Sequence, residues 1–501
     1  MGAARDRPGA CPGTIIAVED NGRAVRNGPG GSEEETMKPF HLLINGSLVE
    51  GDSQMPVLNP ASEEVLAQCP RASLRQLNEA VAAAKAAFPP WAARPINERR
   101  AVVIAMAETI EANVDELARL LTSEQGKPLP EATREVRRMA GYFRYFGSLD
   151  LPMRVIEDSP TRRVEAHRRP LGVIGAIIPW NYPLLIVAFK LPPALIAGNT
   201  IVLKPAPTTP LATLRFVELV SPLLSPGVLN VVTDANDLGD ALTHHPDVRK
   251  LSFTGSIATG KKVMASVAET LKRITLELGG NDAGIVLDDV DPKKVAPGIF
   301  EGAFRNSGQV CLAIKRLYVH ESVYDAVCNE LAEIANNTVV DDGMKQGAQL
   351  GPIQNKMQFE KVKGFLDDAH KKGKVIAGGK PIDRPGYFIQ PTIVRDIQEG
   401  SRLVDEEQFG PVLPVIKYSD VEDVIRRANG TSYGLGASVW SSNPKRAYEI
   451  AGRIESGTVW INKHLDLAAH TPLGGAKSSG IGVELAEEGL AEFTQLQIIN
   501  A

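Results

Sequence analysis

Only four cysteines, Cys11, Cys69, Cys311 and Cys328, are spread over 501 residues. None forms a CxxC pair, so a disulfide framework and a thiol-based zinc site are both excluded as readings. The eight histidines do not cluster with them, and no metal site is expected. This usage suits a reducing, cytoplasmic compartment. Aromatics are only 5%, too few for base-stacking platforms. The net charge is −5, which disfavours nucleic acid and anionic membranes as partners. No run of about 18 apolar residues occurs, so no membrane span is expected. The apolar stretch Leu171–Val187 is broken by Pro179 and Pro183. Residues 1–36 are rich in Gly and Arg, lack an apolar block and read as a disordered tail.

What is present is the composition of a large globular chain, with 43% hydrophobic and 23% charged residues. His41–Val49 reads as a strand turned at Asn45-Gly46. Leu74–Phe88 reads as a helix stopped by Pro89-Pro90. Asn97 reads as the cap of one long helix carrying Val102 to Leu121 and ended by Gly126. Glu131–Phe146 is a further helix. Met153–Arg169 alternates apolar and charged residues around Ser159-Pro160, an excursion hairpin that is marginal alone and suited to pairing with another subunit. From Leu171 short apolar runs alternate with helical stretches, first through Ile274–Leu276 and then again from Gly284 to Ile461. That alternation implies parallel, doubly wound α/β sheets, with a boundary near Gly279-Gly280.

Several stretches could carry chemistry, each with a bland counterpart. Cys311, in Phe304–Leu312, is either a nucleophile or a small buried hydrophobe. Asn181, in Pro179-Trp180-Asn181-Tyr182-Pro183, is either a helix cap or the donor that holds an oxyanion. Gly255 and Gly260 flank a strand-to-helix turn whose N–H groups suit a phosphate or simply a turn. Lys204 ends a buried strand, where ligands of such sheets bind. Glu277 lies between two leucines beside Gly279-Gly280, a setting that raises a carboxyl toward the range of a general base.

Taken together, Phe253-Thr-Gly-Ser256, Leu276-Glu-Leu-Gly-Gly280, Asn306-Ser-Gly-Gln-Val-Cys311 and Glu407-Gln-Phe-Gly-Pro411 resemble the aldehyde dehydrogenase superfamily, from about Phe40 to Ala501. The resemblance implies a Rossmann-like cofactor domain (37–147 and 170–279), an α/β catalytic domain (280–484) and a small β bridging element (148–169 and 485–501) that builds a homodimer or homotetramer. It implies oxidation of an aldehyde with NAD. Cys311 would be the nucleophile, Asn181 the oxyanion donor and Glu277 the base that activates water, with Lys190 and Glu484 relaying protons. Ile177, Pro179, Trp180, Lys204, Ala206, Pro207, Gly255, Ser256, Gly260, Leu278, Gly279, Glu407 and Phe409 would surround the cofactor. Tyr182, Ile186, Phe189, Val310, Leu312 and Leu465 would line the substrate tunnel, with Leu467 and Asp466 at its mouth. No arginine is expected there for a substrate carboxylate, so aliphatic or aromatic apolar aldehydes are the expected substrates. Lys204-Pro-Ala-Pro207 lacks the acid common after this lysine, which leaves NADP open beside NAD. Asn281-Asp282 also departs from the family pattern. Two alternatives stay in view: transfer of the acyl group to coenzyme A, which Glu277 disfavours, and a non-catalytic binding protein on the same scaffold.

Overall fold

In the computed structural model, residues 38–501 are described; the tail expected over 1–36 lies outside them. Two large sheets dominate. The first runs in the order 480–481, 273–277, 248–254, 173–177, 200–204, 229–231, 42–44 and 47–49. Its five central strands are parallel, and their residues are almost all buried, as strands covered on both faces must be. The second runs 374–377, 392–395, 412–418, 314–320, 282–286, 436–440 and 458–461. All of its pairings are parallel except that of Lys374–Ala377. The expected α/β architecture is thus present.

The strand Gly480–Ile481 pairs antiparallel with Arg273–Glu277, although the sequence boundaries group it with the second sheet. That excursion carries Glu484 toward the first sheet. The helix Pro183–Ile196 is buried at every one of its 14 residues, and Lys190 is its one charged member. Glu135 Oε1 accepts the N–H groups of Leu184 and Leu185 at 3.1 Å each, so a carboxylate from another helix caps this N-terminus.

Arg154–Ser159, Arg162–Pro170 and Thr494–Asn500 form a separate three-stranded antiparallel sheet. The expected hairpin is therefore completed by the last strand of the same chain.

Three local expectations are corrected, and one element was missed. The helix Leu74–Ala92 runs through Pro89 and Pro90. Both fall in its last turn, and the buried Trp91 pins that turn by donating from Nε1 to the Leu195 carbonyl at 3.2 Å. Asn97 is not a cap: the helix starts at Ile96 behind Pro95, where the ring presets the backbone. The single helix expected to Gly126 is two, Ile96–Ala112 and Val114–Gln125, broken at Asn113, whose amide turns back onto the Thr109 carbonyl at 2.8 Å. The hairpin Ser53–Leu58/Val65–Arg71 was not foreseen, because Pro56 and Pro70 mask its alternation.

Candidate active site

Four parallel strands of the first sheet end at Ile177, Lys204, Thr254 and Glu277. All four residues line one cavity of about 1140 Å³. Ligands of open α/β sheets bind outside these carboxyl ends. The same cavity is lined by Cys311 and Asn181, and by Glu407 and Phe409 from the second sheet's loops.

Cys311 follows a tight turn over Arg305–Gly308 in which Asn306, Ser307 and Gly308 hold φ of 51°, 55° and 72°. Positive φ at two non-glycine residues in succession costs energy that surrounding bonds must offset. Asn306 Nδ2 donates to the Asn181 carbonyl at 3.0 Å, and Ser307 Oγ donates to the Gly351 carbonyl at 2.7 Å. A Cβ on Gly308 would strike the Gly410 carbonyl, so glycine is required there. The turn delivers a half-buried thiol to the cavity. Burial pushes that thiol up to about 12, while the Lys315 ammonium pulls the other way. Lys315 Nζ donates to the Cys311 carbonyl at 2.6 Å and lies 3.4 Å from Glu407.

Asn181 is buried, and its Nδ2 donates to the Gln309 carbonyl at 3.0 Å. An amide has two N–H donors, so one remains for a ligand oxygen. Its own carbonyl is held by Lys127 Nζ at 2.9 Å, and Lys127 is paired with Glu135 at 2.5 Å. Neither Lys127 nor Glu135 was foreseen as a support for the site. Nothing in their spacing could have shown that Lys127 reaches 54 residues along the chain.

Glu277 is buried, and its Oε1 has no hydrogen-bond partner among the described residues. Burial, then the charge of Glu484, raises its carboxyl well above the ordinary range, and Lys190 opposes them. Lys190 Nζ donates to Glu484 Oε1 at 2.5 Å and to Ser252 Oγ at 3.0 Å. Oε2 of Glu484 is likewise unpartnered among the described residues. Lys190 is fully buried behind the cavity wall, whereas Glu484 lines it. The two expected relay residues are thus paired with each other.

Of the residues expected around a dinucleotide, Ile177, Pro179, Trp180, Lys204, Ala206, Pro207, Gly255, Ser256, Leu278, Gly279, Glu407 and Phe409 all line the cavity. Ser256 caps the helix Ile257–Ala268, its Oγ accepting from Thr259 N at 3.2 Å. Glu407 packs against Gly279 so closely that a Cβ there would overlap its carboxylate, and it accepts from Gly280 N at 3.1 Å. Gly260 is the exception. It does not line the cavity, and a Cβ there would meet Leu278 Cδ2 at 2.5 Å. Its smallness serves helix-to-loop packing, since the helix already begins at Ile257.

Tyr182, Ile186, Phe189, Val310, Leu312 and Leu465 line the other part of the cavity, with Leu185, Leu467 and Leu473. The Tyr182 hydroxyl is engaged, donating to Glu131 Oε1 at 2.7 Å. The expectation that no arginine faces this region is corrected: Arg138 and Arg305 both line it. Arg138 comes from the helix Leu129–Ser148, whose distance along the chain hid it. Each guanidinium is engaged through one nitrogen only, and its other N–H groups are left without a protein partner among the described residues. Arg138 donates to the Leu467 carbonyl at 2.9 Å, and Arg305 donates to Glu301 at 2.8 Å.

The chain is similar to known proteins over most of its length. The sequence pattern described as "Aldehyde dehydrogenase family" matches residues 48–499. A probable aldehyde dehydrogenase of Pseudomonas sp is 42% identical over 457 residues, covering 91% of this chain and 93% of that protein. A phenylacetaldehyde dehydrogenase of Pseudomonas fluorescens is 39% identical over 475 residues, covering 91% and 94%. The NAD+ complex of an aldehyde dehydrogenase from Bacillus cereus superposes with a TM-score of 0.91 at 37% identity, covering 93% and 96%.

Proposed function

This chain belongs to the aldehyde dehydrogenase family, is an oxidoreductase, and from that premise we propose that it oxidises an apolar aldehyde to its carboxylic acid with NAD, by covalent catalysis at Cys311. The observation that carries this reading is the convergence of Cys311, Asn181 and Glu277 on one cavity whose other end is built from strand-end and helix-start residues.

The residues fit the dinucleotide. The Ser256 turn presents a helix N-terminus suited to a pyrophosphate. Lys204 and Glu407 offer a donor and an acceptor for ribose hydroxyls. Trp180 and Phe409, edge-on with ring centroids 5.3 Å apart, offer an apolar wall for a ring. When bound, the nicotinamide supplies the hydride acceptor that makes the oxidation run.

The thiol enters the cycle as S–H, because burial holds it near 12. Sγ bonds to the aldehyde carbon and gives up its proton to water in the cavity, so that Glu277 is kept for the hydrolytic step. The second N–H of Asn181 holds the oxygen on which negative charge develops. Loss of hydride from that carbon leaves a thioester on Cys311. Glu277 then takes a proton from water as it attacks the thioester carbon. The C–S bond breaks, the acid leaves, and the sulfur takes a proton back from water in the cavity to restore the thiol. Protons leave Glu277 toward Glu484 and Lys190, which are paired with each other and near enough for their charges to act on Glu277. Because Glu277 serves the hydrolytic step, transfer to coenzyme A is disfavoured.

The leucines, Ile186, Phe189 and Val310 favour an aliphatic or aromatic aldehyde. The three-stranded sheet exposes Leu496 and Ile498 on one face and Val155 and Ile499 on the other, apolar surface suited to pairing with a second copy as a homodimer or homotetramer. A free-thiol nucleophile suits a reducing compartment, and we place the protein in the cytoplasm on that ground.

NADH formation is the test, followed across hexanal, benzaldehyde, phenylacetaldehyde and succinate semialdehyde without coenzyme A. The apolar aldehydes are expected to give the higher kcat/KM. A higher value for succinate semialdehyde would overturn the substrate reading, and an absolute need for coenzyme A would overturn the hydrolytic one.

A further inference from the structure

Pro207 carries no charge, so the sequence left the Lys204 end of the cavity open to either dinucleotide. The structure supplies an acid from elsewhere. Lys204 faces the cavity yet is only 4% exposed. Its ammonium donates to Oδ1 of Asp234 at 2.6 Å, across 30 residues of sequence. Asp234 is fully buried, and its Oδ2 accepts from Leu238 N at 2.9 Å. Both carboxylate oxygens are thereby held, just ahead of the short helix Gly239–His244. Gly239 lines the cavity against the lysine stem, where a Cβ would meet Lys204 Cε at 3.8 Å.

A neutral ribose hydroxyl suits this arrangement, since it can accept from the Lys204 ammonium while the buried carboxylate behind it matches that charge. A 2′-phosphate does not. It brings close to two negative charges at neutral pH, as phosphate monoesters do. Here the charge of Lys204 is already matched by a carboxylate that packing prevents from moving away. The unscreened repulsion from such a buried charge is larger than from an exposed one. Asp240 and Lys262 also line this end, but both are exposed and opposite in sign, so solvent weakens what they add.

We propose that Asp234 sets the preference of this chain for NAD over NADP, as a positioning residue that neutralises and holds Lys204. The inference rests on reading the cavity as a dinucleotide site. It reassigns the discriminating acid from the loop after the strand Thr200–Lys204, where Pro207 stands, to the end of the neighbouring strand Leu229–Val231.

Isothermal titration calorimetry with NAD and with NADP tests it on the full chain, the Asp234→Asn variant and the Asp234→Glu variant. The unmodified protein is expected to bind NAD at least about tenfold more tightly than NADP. Asp234→Asn is expected to narrow that ratio by about tenfold, mainly through tighter NADP, and Asp234→Glu to keep more of it. An unchanged ratio in a folded Asp234→Asn variant would overturn the proposal. Equal affinities in the unmodified protein would overturn it too, whether or not the variant folds, while leaving the dinucleotide reading intact. Failure of the unmodified protein to bind either nucleotide would remove both.

Discussion

Asp282→Asn should stabilise this protein at alkaline pH and do far less in acid. Asp282 opens the strand Asp282–Val286 and is fully buried beneath the Cys311 loop. A Cβ on Gly280 would lie 2.6 Å from both Asp282 Oδ1 and the Cys311 carbonyl. Neither carboxyl oxygen has a hydrogen bond of good geometry among the described residues. Burial raises this carboxyl from 3.8 to about 7, against the pull of Lys315. The sign follows from linkage. Folding favours the protonated form, so the stability it contributes is complete below 3.8 and is lost as pH rises through 7. At about 1.4 kcal/mol per pH unit, the ionised group costs on the order of 4 kcal/mol at pH 8 and about 1 kcal/mol at pH 4.5. Asparagine keeps the shape without the charge, so its benefit should be about 3 kcal/mol larger at pH 8 than at pH 4.5. Urea unfolding followed by tryptophan fluorescence at the two pH values measures this difference. An equal effect at both, or a variant less stable than the parent at pH 8, would refute the reasoning. The same substitution removes a negative charge that helps keep the Cys311 thiol protonated, so iodoacetamide should modify Cys311 faster at pH 8.

Three further perturbations bear on the site. Asn181→Ala should lower kcat by about 10²–10³ with little change in NAD affinity, since it removes a donor needed only as charge develops; steady-state rates and nucleotide titration separate the two. Glu484→Gln removes a charge that raises Glu277, so the acid limb of the kcat profile should move to lower pH. The same change should cost about 3–5 kcal/mol in urea because Lys190 is left unpaired in the interior; a limb that stays or moves upward counts against the relay. Alkylation of the free protein should keep accelerating from pH 7 to pH 9.5, as a thiol near 12 requires; a plateau below pH 8 would mean that the thiol is ionised far earlier.

Much of the site was legible because its key residues sit at places that sequence patterns mark. Lys204 and Glu277 end short apolar runs, and Ser256 stands between a strand and a helix. Cys311 follows a small-residue turn whose glycine is sterically required. Those are local features, and period and composition report local features. Partnerships across the fold were not legible. Asp234 under Lys204, Lys127 and Glu135 behind Asn181, and Arg138 on the cavity wall are set by how helices and strands stack. Each would pass as an ordinary charged residue in its own segment. Gly260 shows the converse, since its motif position suggested a ligand contact and its Cα packs against Leu278 instead. Pro89 and Pro90 misled for a related reason: a proline pair ends a helix only when nothing holds the next turn, and Trp91 holds it.

The central claim is that Cys311 carries the acyl group and Glu277 releases it. Glu277→Gln incubated with benzaldehyde and NAD, quenched in acid and examined by peptide mass spectrometry, tests this directly. The expected result is about one equivalent of NADH per active site, with a benzoyl group on the peptide containing Cys311. NADH released turnover after turnover with no acyl group on Cys311, or an acyl group on Cys69 or Cys328 instead, would contradict it.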